Sequence, residues 1–157
     1  MISIDVLEKY AKKKLEKTLS FEREFVFVLP NGEHETIEIP KYSDVLETIT
    51  IKNIREFIIN RSITQYFMVF ESWIGQNVSV RPSEDPKRRE ALIILEFNKA
   101  HNNKGIFQFF KKEDGKIIYE NKLEDLDYQH SETKFDFFKD ANEIQKNIDR
   151  MIKELKK

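Results

Sequence analysis

The fold is indicated most plainly by residues 105–120, which read GIFQFFKKEDGKIIYE. Two runs in this stretch, 105–111 and 116–120, are rich in the aromatic and β-branched residues that are typical of strands. The segment between them, 112–115, reads KEDG, and an Asp-Gly pair suits the tightest hairpin turns because both residues tolerate positive φ. These residues therefore predict two antiparallel strands joined by a short turn.

Strand signals continue from this hairpin toward the N-terminus. Residues 91–97 are apolar with one glutamate, and residues 66–73 are rich in aromatic and apolar side chains. With the hairpin they predict a four-stranded antiparallel meander with a long first connection, in which helices can cover one sheet face while the other stays partly solvated. An N-terminal hairpin is predicted over 25–29 and 35–39, because a Pro-Asn-Gly turn at 30–32 joins them.

Amphipathic helices are predicted at the two ends of the chain, where apolar residues recur at three- and four-residue spacing. The first helix covers residues 4–19, and Asp5 with Glu8 can cap its start. The second lies near the C-terminus, with Asn147, Arg150, Lys153 and Lys157 on its solvated face. The apolar positions of the two helices are Ile4, Leu7, Ala11, Leu15 and Leu19, and Phe138, Ala141, Ile144, Ile148 and Ile152.

A central helix is predicted from about residue 51 to residue 61. Ser43 could cap a short helix before it, and the alternation at 48–51 fits a strand equally well. The apolar face of the central helix is formed by Ile51, Ile54, Phe57 and Ile58. The sequence thus predicts an α+β fold, in which N-terminal, central and C-terminal helices pack against a predominantly antiparallel sheet.

Composition restricts the class of protein. The 157 residues have the size of one domain, so we expect a single globular domain over 1–157. The 27 basic and 28 acidic residues nearly cancel, which argues against a surface devoted as a whole to nucleic acid or anionic membrane. The chain has no cysteine, which excludes disulfides and Cys-based metal sites. Without a signal peptide or a long apolar run, we expect a cytoplasmic protein with no membrane association.

The candidate functional surface is a charged, proline-bracketed loop at residues 79–90, between two apolar strands. Its prolines restrict the backbone, and loops held by a rigid scaffold often carry function. Its arginines could bind a phosphate or carboxylate bidentately, or its charges could pair with one another in a solvated connection. The predicted ligand- or partner-binding residues are Glu71, Trp73, Arg81, Ser83, Glu84, Asp85, Arg88, Arg89 and Glu90.

Other residues offer less specific signals. Glu71 and Glu96 could form an acid–base pair if both were buried, or could simply face solvent. His34, His101 and His130 are too widely spaced for a metal site, so no metal is predicted. The lysines of the terminal helices could form a basic patch or solvated helix faces. Four aromatic residues could stack with nucleic-acid bases or belong to the core; they are Phe107, Phe109, Phe110 and Tyr119.

The strand end Glu-x-Trp at 71–73 and the loop Pro-Ser-x-x-Pro-x-Arg-x-Glu-Ala at 82–91 carry a resemblance. Over residues 66–96 the chain resembles a group of small uncharacterised bacterial and phage proteins. That group has no assigned activity, so it supplies no catalytic residues. The resemblance implies a source in a bacterium or its mobile elements, and a shared surface of Glu71, Trp73, Ser83, Arg88, Arg89 and Glu90.

We expect a non-enzymatic binding or interaction module, because no catalytic or cofactor constellation is recognisable. Its partner would be a protein or small ligand, and no cofactor is predicted. A homodimer could form through an exposed edge strand or the Phe-rich strand 105–111.

Two alternative functions stay open. One is a nucleic-acid-binding protein that acts through the terminal helices, although nucleic acid is not the expected partner. The other is an enzyme of unrecognised type whose carboxylates do acid–base or metal chemistry while arginines hold an anionic substrate. The residues of that enzyme site would be Glu71, Glu84, Asp85, Arg81, Arg88 and Arg89.

Overall fold

The computed structural model describes residues 2–39, 44–75, 84–100, 103–127, 137–138 and 150–156. Helix α1 covers Ile4–Thr18 and helix α2 covers Asp44–Asn60. Residues 150–155 are also helical. The strands are β1 (Arg23–Val28), β2 (His34–Ile39), β3 (Gln65–Ile74), β4 (Arg89–Asn98), β5 (Lys104–Glu113) and β6 (Lys116–Asp127).

The six described strands form one sheet in the order β2-β1-β3-β4-β5-β6, and every neighbouring pair is antiparallel. Strands β3 to β6 are the predicted meander, and β1 with β2 is the predicted N-terminal hairpin. The hairpin extends the meander because β1 pairs with β3. The α+β class and the antiparallel sheet are therefore confirmed.

Apolar side chains cover both faces of the sheet centre. Helix α1 places Leu7, Ala11 and Leu15 against one face, in a cluster that includes Phe67 and Ile94. The opposite face packs against α2 and two buried phenylalanines near the C-terminus; its helical contributors are Ile54, Ile58, Phe137 and Phe138. The expectation of one partly solvated face is wrong over this region, because helices lie on both sides of the sheet.

The N-cap of helix α1 lies two residues earlier than its acidic residues predict. Ser3 is the N-cap, and its hydroxyl accepts the backbone N–H of Val6 at 3.3 Å. Leu19 ends the helix in the left-handed region with φ of 61°, where its N–H donates to the carbonyl of Leu15 at 2.7 Å. Ser3 thus takes the place of the predicted Asp5–Glu8 capping pair. Glu8 is buried.

Helix α2 is longer than predicted, since it begins at Asp44 and includes residues 48–51. The strand alternative for 48–51 is therefore wrong. The first turns of α2 keep Val45, Leu46 and Ile49 half or more exposed. Because these first turns have no buried face, the helical period of apolar residues begins only at Ile51, which packs against the core.

The turn between β5 and β6 has the predicted two-residue form. Asp114 and Gly115 have φ of 50° and 71°, as a tight hairpin of this twist requires. Strand β5 pairs with β4 on one side and with β6 on the other. The Phe-rich strand 105–111 is therefore not an edge strand onto which a second copy could pair, and the outer strands of the described sheet are β2 and β6.

The C-terminal helix prediction falls partly outside the described residues, which include neither Ala141, Ile144 nor Ile148. Phe138 is buried, whereas Ile152 in the helical segment 150–155 is 45% exposed. Among the described helices, none combines the length and apolarity needed to cross a membrane.

Candidate functional site

The predicted site begins at the C-terminal end of β3. There Glu71 lies opposite Leu92 of β4, and Trp73 lies opposite Glu90. Since side chains alternate along a strand, these residues share the sheet face that α1 covers. Pairing of β1 with β3 runs only as far as Glu24 opposite Val69, so Glu71 and Trp73 lie beyond the last β1–β3 pair.

Lys112 of β5 links the two acidic side chains of this face. Its ammonium nitrogen lies 3.6 Å from a carboxylate oxygen of Glu71 and 3.5 Å from one of Glu90. The strand register explains why Lys112 lies near Glu90. Phe110 lies opposite Glu90, and Lys112 follows two residues later on the same face. A lysine between two carboxylates offsets their repulsion, so Glu71 and Glu90 can both lie beside Lys112.

Glu71 also stabilises the junction between β1 and β3. One of its carboxylate oxygens accepts the backbone N–H of Phe21 at 3.1 Å. The other oxygen is buried and makes no hydrogen bond, with Lys112 as its nearby cation. A backbone amide that leaves a sheet ladder must find another acceptor, and here the carboxylate of Glu71 supplies it.

The loop before β4 is shaped by Asp85. This carboxylate is 2% exposed and accepts the backbone N–H of Lys87 at 2.9 Å. The carbonyl of Asp85 accepts the backbone N–H of Arg88 at 3.0 Å. Such bonds from an aspartate to its own loop form a local turn, so Asp85 fixes the direction in which Arg88 leaves the loop.

Arg88 and Arg89 separate to the two faces of the sheet. The guanidinium of Arg88 lies over the indole of Trp73, with its central carbon 4.6 Å from the ring centroid. The guanidinium of Arg89 lies over the ring of Phe109 at 3.9 Å. Arg89 also donates to Asn121 and lies 3.5 Å from a carboxylate oxygen of Glu120. Only Arg88 is therefore directed toward Trp73.

These side chains surround a shallow pocket of about 260 Å³, which we call the Trp73 pocket. Trp73 is 38% exposed beside it, and its indole is backed by Arg88. The lining residues are Trp73, Arg88, Arg89, Glu90, Phe110, Lys111, Lys112, Glu113 and Glu120. A second pocket of about 430 Å³ lies where β1 separates from β3 and is lined by Glu71 and residues 20–23, 70 and 72.

The structure brings together part of the predicted site. Trp73, Arg88, Arg89 and Glu90 line the Trp73 pocket, and Glu71 joins them through Lys112. Glu84 is exposed and Asp85 is buried in its loop, and neither lines this pocket. The predicted residues Arg81 and Ser83 lie outside the described residues.

Glu71 and Glu96 do not form a carboxylate pair. Glu96 lies opposite Phe67, four residues from Glu71 along β3, which corresponds to about 13 Å of strand. Its carboxylate accepts an amide N–H of Gln65 at 2.9 Å. The alternative that Glu71 and Glu96 form an acid–base pair is therefore wrong, because the strand register separates them.

Sequence reasoning missed a buried carboxylate in β1. Glu24 is 2% exposed, and one of its oxygens accepts from Tyr10 at 3.0 Å and from Lys14 at 2.5 Å. Burial alone would lower the pKa of Lys14, but Glu24 outweighs it and raises that pKa. Burial and the neighbouring Glu24 raise the pKa of Tyr10. The signal for this cluster was the position of Glu24 directly before the apolar run that begins at Phe25, on the strand face of Val26.

A second ion cluster lies between α1 and β6. Glu8 lies 2.9 Å from Lys12 and 3.2 Å from Lys122. Burial alone would raise the pKa of Glu8, but the two lysines hold it below its usual value. The helix lysines Lys12 and Lys14 are thus paired with carboxylates, which reduces the charge available for a nucleic-acid footprint on α1.

The remaining candidates are aromatic residues and histidines. Phe109 and Phe110 are buried and belong to opposite core clusters, so they are not exposed stacking platforms. His34 is exposed in β2, and His101 and His130 lie outside the described residues. In the part of the chain that the structure describes, no group of three or more His, Cys, Asp or Glu residues could hold a metal ion.

No protein-family model, curated protein or solved structure matches this chain. The resemblance to small bacterial and phage proteins over 66–96 therefore stays a prediction.

Proposed function

We propose that this protein is a non-enzymatic binding module, cytoplasmic and of bacterial or mobile-element origin, whose recognition surface is the Trp73 pocket. Its partner on this proposal is a protein segment that covers Trp73. The observation that carries the proposal is the half-exposed indole of Trp73 with the guanidinium of Arg88 stacked on it at 4.6 Å.

A tryptophan and an arginine line the pocket, and this pair of residue types supports a binding function. Both residue types are enriched among the few positions that dominate the energy of protein interfaces. An indole offers a large rigid area whose burial orders few side-chain torsions. Here the stacked guanidinium and the Asp85 turn hold that area in place before a partner arrives, which reduces the ordering cost of binding.

The pairing of the surrounding charges supports binding over catalysis. Glu71 is engaged by Phe21 and Lys112, and Glu90 shares the same lysine. Asp85 is committed to its own loop. A general acid or base must reach a proton of the substrate, and these carboxylates instead neutralise or position neighbouring protein groups.

The proposal is tested by selecting displayed random dodecapeptides on the whole chain and measuring the affinity of enriched peptides by calorimetry. Trp73 is the single tryptophan of the chain, so its fluorescence reports directly on the pocket during titration. We expect enriched peptides to shift that emission. We expect Trp73→Ala to weaken their binding about tenfold or more, as for a central interface residue.

Ile118→Ala is the matched control, because Ile118 is an apolar residue of the same sheet, 45% exposed, and does not line the pocket. It should leave affinity unchanged. Trp73→Phe guards against a folding defect, since it retains an aromatic ring, and should bind with intermediate affinity. Failure to enrich any peptide, or equal affinity of wild type and Trp73→Ala, would refute the proposed function.

A further inference from the structure

We infer that the group recognised in the Trp73 pocket is the carboxylate of an acidic peptide side chain, held by the guanidinium of Arg88. This inference rests on the proposed function and names the chemistry of its partner. It follows from the cations that line the pocket: among the described residues, each of them lies near a carboxylate except Arg88.

Arg88 retains unused hydrogen-bond donors. A guanidinium has five N–H donors, and among the described residues Arg88 makes one long side-chain bond, to the carbonyl of Asp85 at 3.4 Å. Its other described contact is the face of Trp73. No described carboxylate lies within ion-pair distance of it, although the side chain is exposed. An exposed fork of donors remains for an external acceptor.

The other cations around the pocket are already neutralised. Lys112 lies between Glu71 and Glu90. Arg89 pairs with Glu120 and Asn121, and Lys111 lies 3.7 Å from the same Glu120. An anion entering the pocket therefore gains most from Arg88, because binding to any other cation would compete with an existing carboxylate.

Stacking on Trp73 prepares Arg88 for a planar acceptor. The indole covers one face of the guanidinium, whereas the N–H groups lie in the guanidinium plane, where the long bond from Nη1 to the carbonyl of Asp85 is the one described. The edge of that plane matches a carboxylate in two parallel hydrogen bonds. A lysine at this position would provide a point charge without the fork.

A singly charged carboxylate fits the pocket better than a phosphate dianion. Phosphate sites on proteins gather several cations around the group. Here one guanidinium is unneutralised, and Glu90 and Glu113 line the same pocket. These two carboxylates would repel a dianion more strongly than a monoanion. The partner is therefore an acidic peptide, with the anion of Glu or Asp placed on Arg88.

The experiment uses the enriched dodecapeptides and their synthetic variants. We expect glutamate or aspartate at one fixed position of the selected peptides. Replacing it by glutamine or asparagine should weaken binding to wild type about tenfold, the size of a charge-assisted bidentate bond. In Arg88→Ala the same peptide change should have no effect, because the guanidinium that reads the charge is gone.

Two variants separate charge from geometry. Arg88→Lys should recover little of the lost affinity, since it keeps the charge without the fork. Arg61→Ala is the matched control, because Arg61 also stacks on an aromatic ring, that of Phe57 at 5.5 Å, outside the pocket. It removes the same charge from the chain and should leave the acidic preference intact.

The outcomes distinguish this inference from the proposed function. Trp73-dependent peptides without a fixed acidic residue, or an acidic preference that persists in Arg88→Ala, would overturn the carboxylate while the binding module stands. A phosphoserine variant that binds more tightly than the glutamate peptide would also overturn it. If no Trp73-dependent peptide is found, the proposed function itself fails.

Discussion

At the scale of single residues, Glu24 shows how a charge can be buried beneath a helix. Its carboxylate receives Tyr10 and Lys14 from α1 on one oxygen, while the other oxygen is buried without a hydrogen bond. Lys14 also lies 3.7 Å from Glu38 on the neighbouring strand. Glu24 therefore depends on Lys14 for charge compensation, whereas Lys14 has a second carboxylate and partial access to water.

This asymmetry predicts unequal costs for the two single substitutions. Lys14→Met should lower the free energy of unfolding by about 2–3 kcal/mol, because it leaves the buried Glu24 charge with only Tyr10. Glu24→Gln should cost about 1 kcal/mol, since Tyr10 keeps an acceptor and Lys14 can turn to solvent. Urea unfolding of the two variants at neutral pH measures the difference.

Lys13→Met is the control for the lysine change, because Lys13 is exposed on the same helix. Its effect should stay within about 0.5 kcal/mol, as for ordinary surface positions. If Glu24→Gln lowered the free energy of unfolding as much as Lys14→Met, the predicted asymmetry would be wrong.

The residues of these clusters were partly predictable. Alternation along a strand places Glu24 on the face of Val26, and the helical period predicts which residues of α1 are apolar. That α1 lies over this sheet face, and so brings Lys14 to Glu24, depends on tertiary packing that a local pattern does not contain. Lys112 was missed for the same reason, since it meets Glu71 and Glu90 only through strand register.

At the scale of elements, the turn between β5 and β6 is specified by local chemistry. Gly115 has φ of 71°, and a Cβ built on it would meet no atom within 4 Å. Substitution there therefore tests backbone conformation without steric contacts. We expect Gly115→Ala to lower the free energy of unfolding by about 1 kcal/mol or more, because alanine is strained at positive φ.

Asp114→Asn provides the comparison for this turn. Asparagine tolerates positive φ at least as well as aspartate and is favoured in the same turn type, so the variant should be neutral or slightly more stable in thermal unfolding. Equal destabilisation by both substitutions would indicate that the side chain of Asp114, and not the backbone conformation, determines the stability of the turn.

The elements differ in how far sequence determines them. Both hairpins were predicted because glycine-containing turns fix strand pairing locally. The start of α2 was not, because Val45, Leu46 and Ile49 remain exposed and so give no amphipathic period. The long connection before β4 was predicted as a loop, but the separation of Arg88 and Arg89 to opposite faces follows from where β4 begins.

Across the described fold, ionisable groups of α1 contact the sheet at several points. Lys122 of β6 binds Glu8, and Tyr119 of β6 donates to the carbonyl of Lys12 at 3.4 Å. Burial and the nearby Glu16 raise the pKa of Tyr119 strongly. Glu124 raises the pKa of Lys122, with Glu8 adding to the effect. The packing of α1 against the sheet therefore depends on pH in both the acid and the alkaline range.

The sign of each shift gives the pH range of stability. Glu8 has a lowered pKa, so its contribution is present above the unfolded value near 4.3 and is lost as pH falls through the folded value. Lys14, Lys122 and Tyr119 have raised pKa values. Their contributions are present below about pH 10 and are lost as pH rises further. Urea unfolding across pH should show a plateau between these limits.

Tyr119→Phe assigns the alkaline limit. The variant lacks the ionisable hydroxyl, so its free energy of unfolding should fall less than that of wild type between about pH 9 and about pH 11.5. At neutral pH the variant should lose about 1 kcal/mol, because the hydrogen bond that it gives up to the carbonyl of Lys12 is long. Glu8→Gln should flatten the acid side instead and leave the alkaline fall unchanged in sign. Identical alkaline profiles for wild type and Tyr119→Phe would mean that Tyr119 ionises as freely in the folded protein as in the unfolded chain.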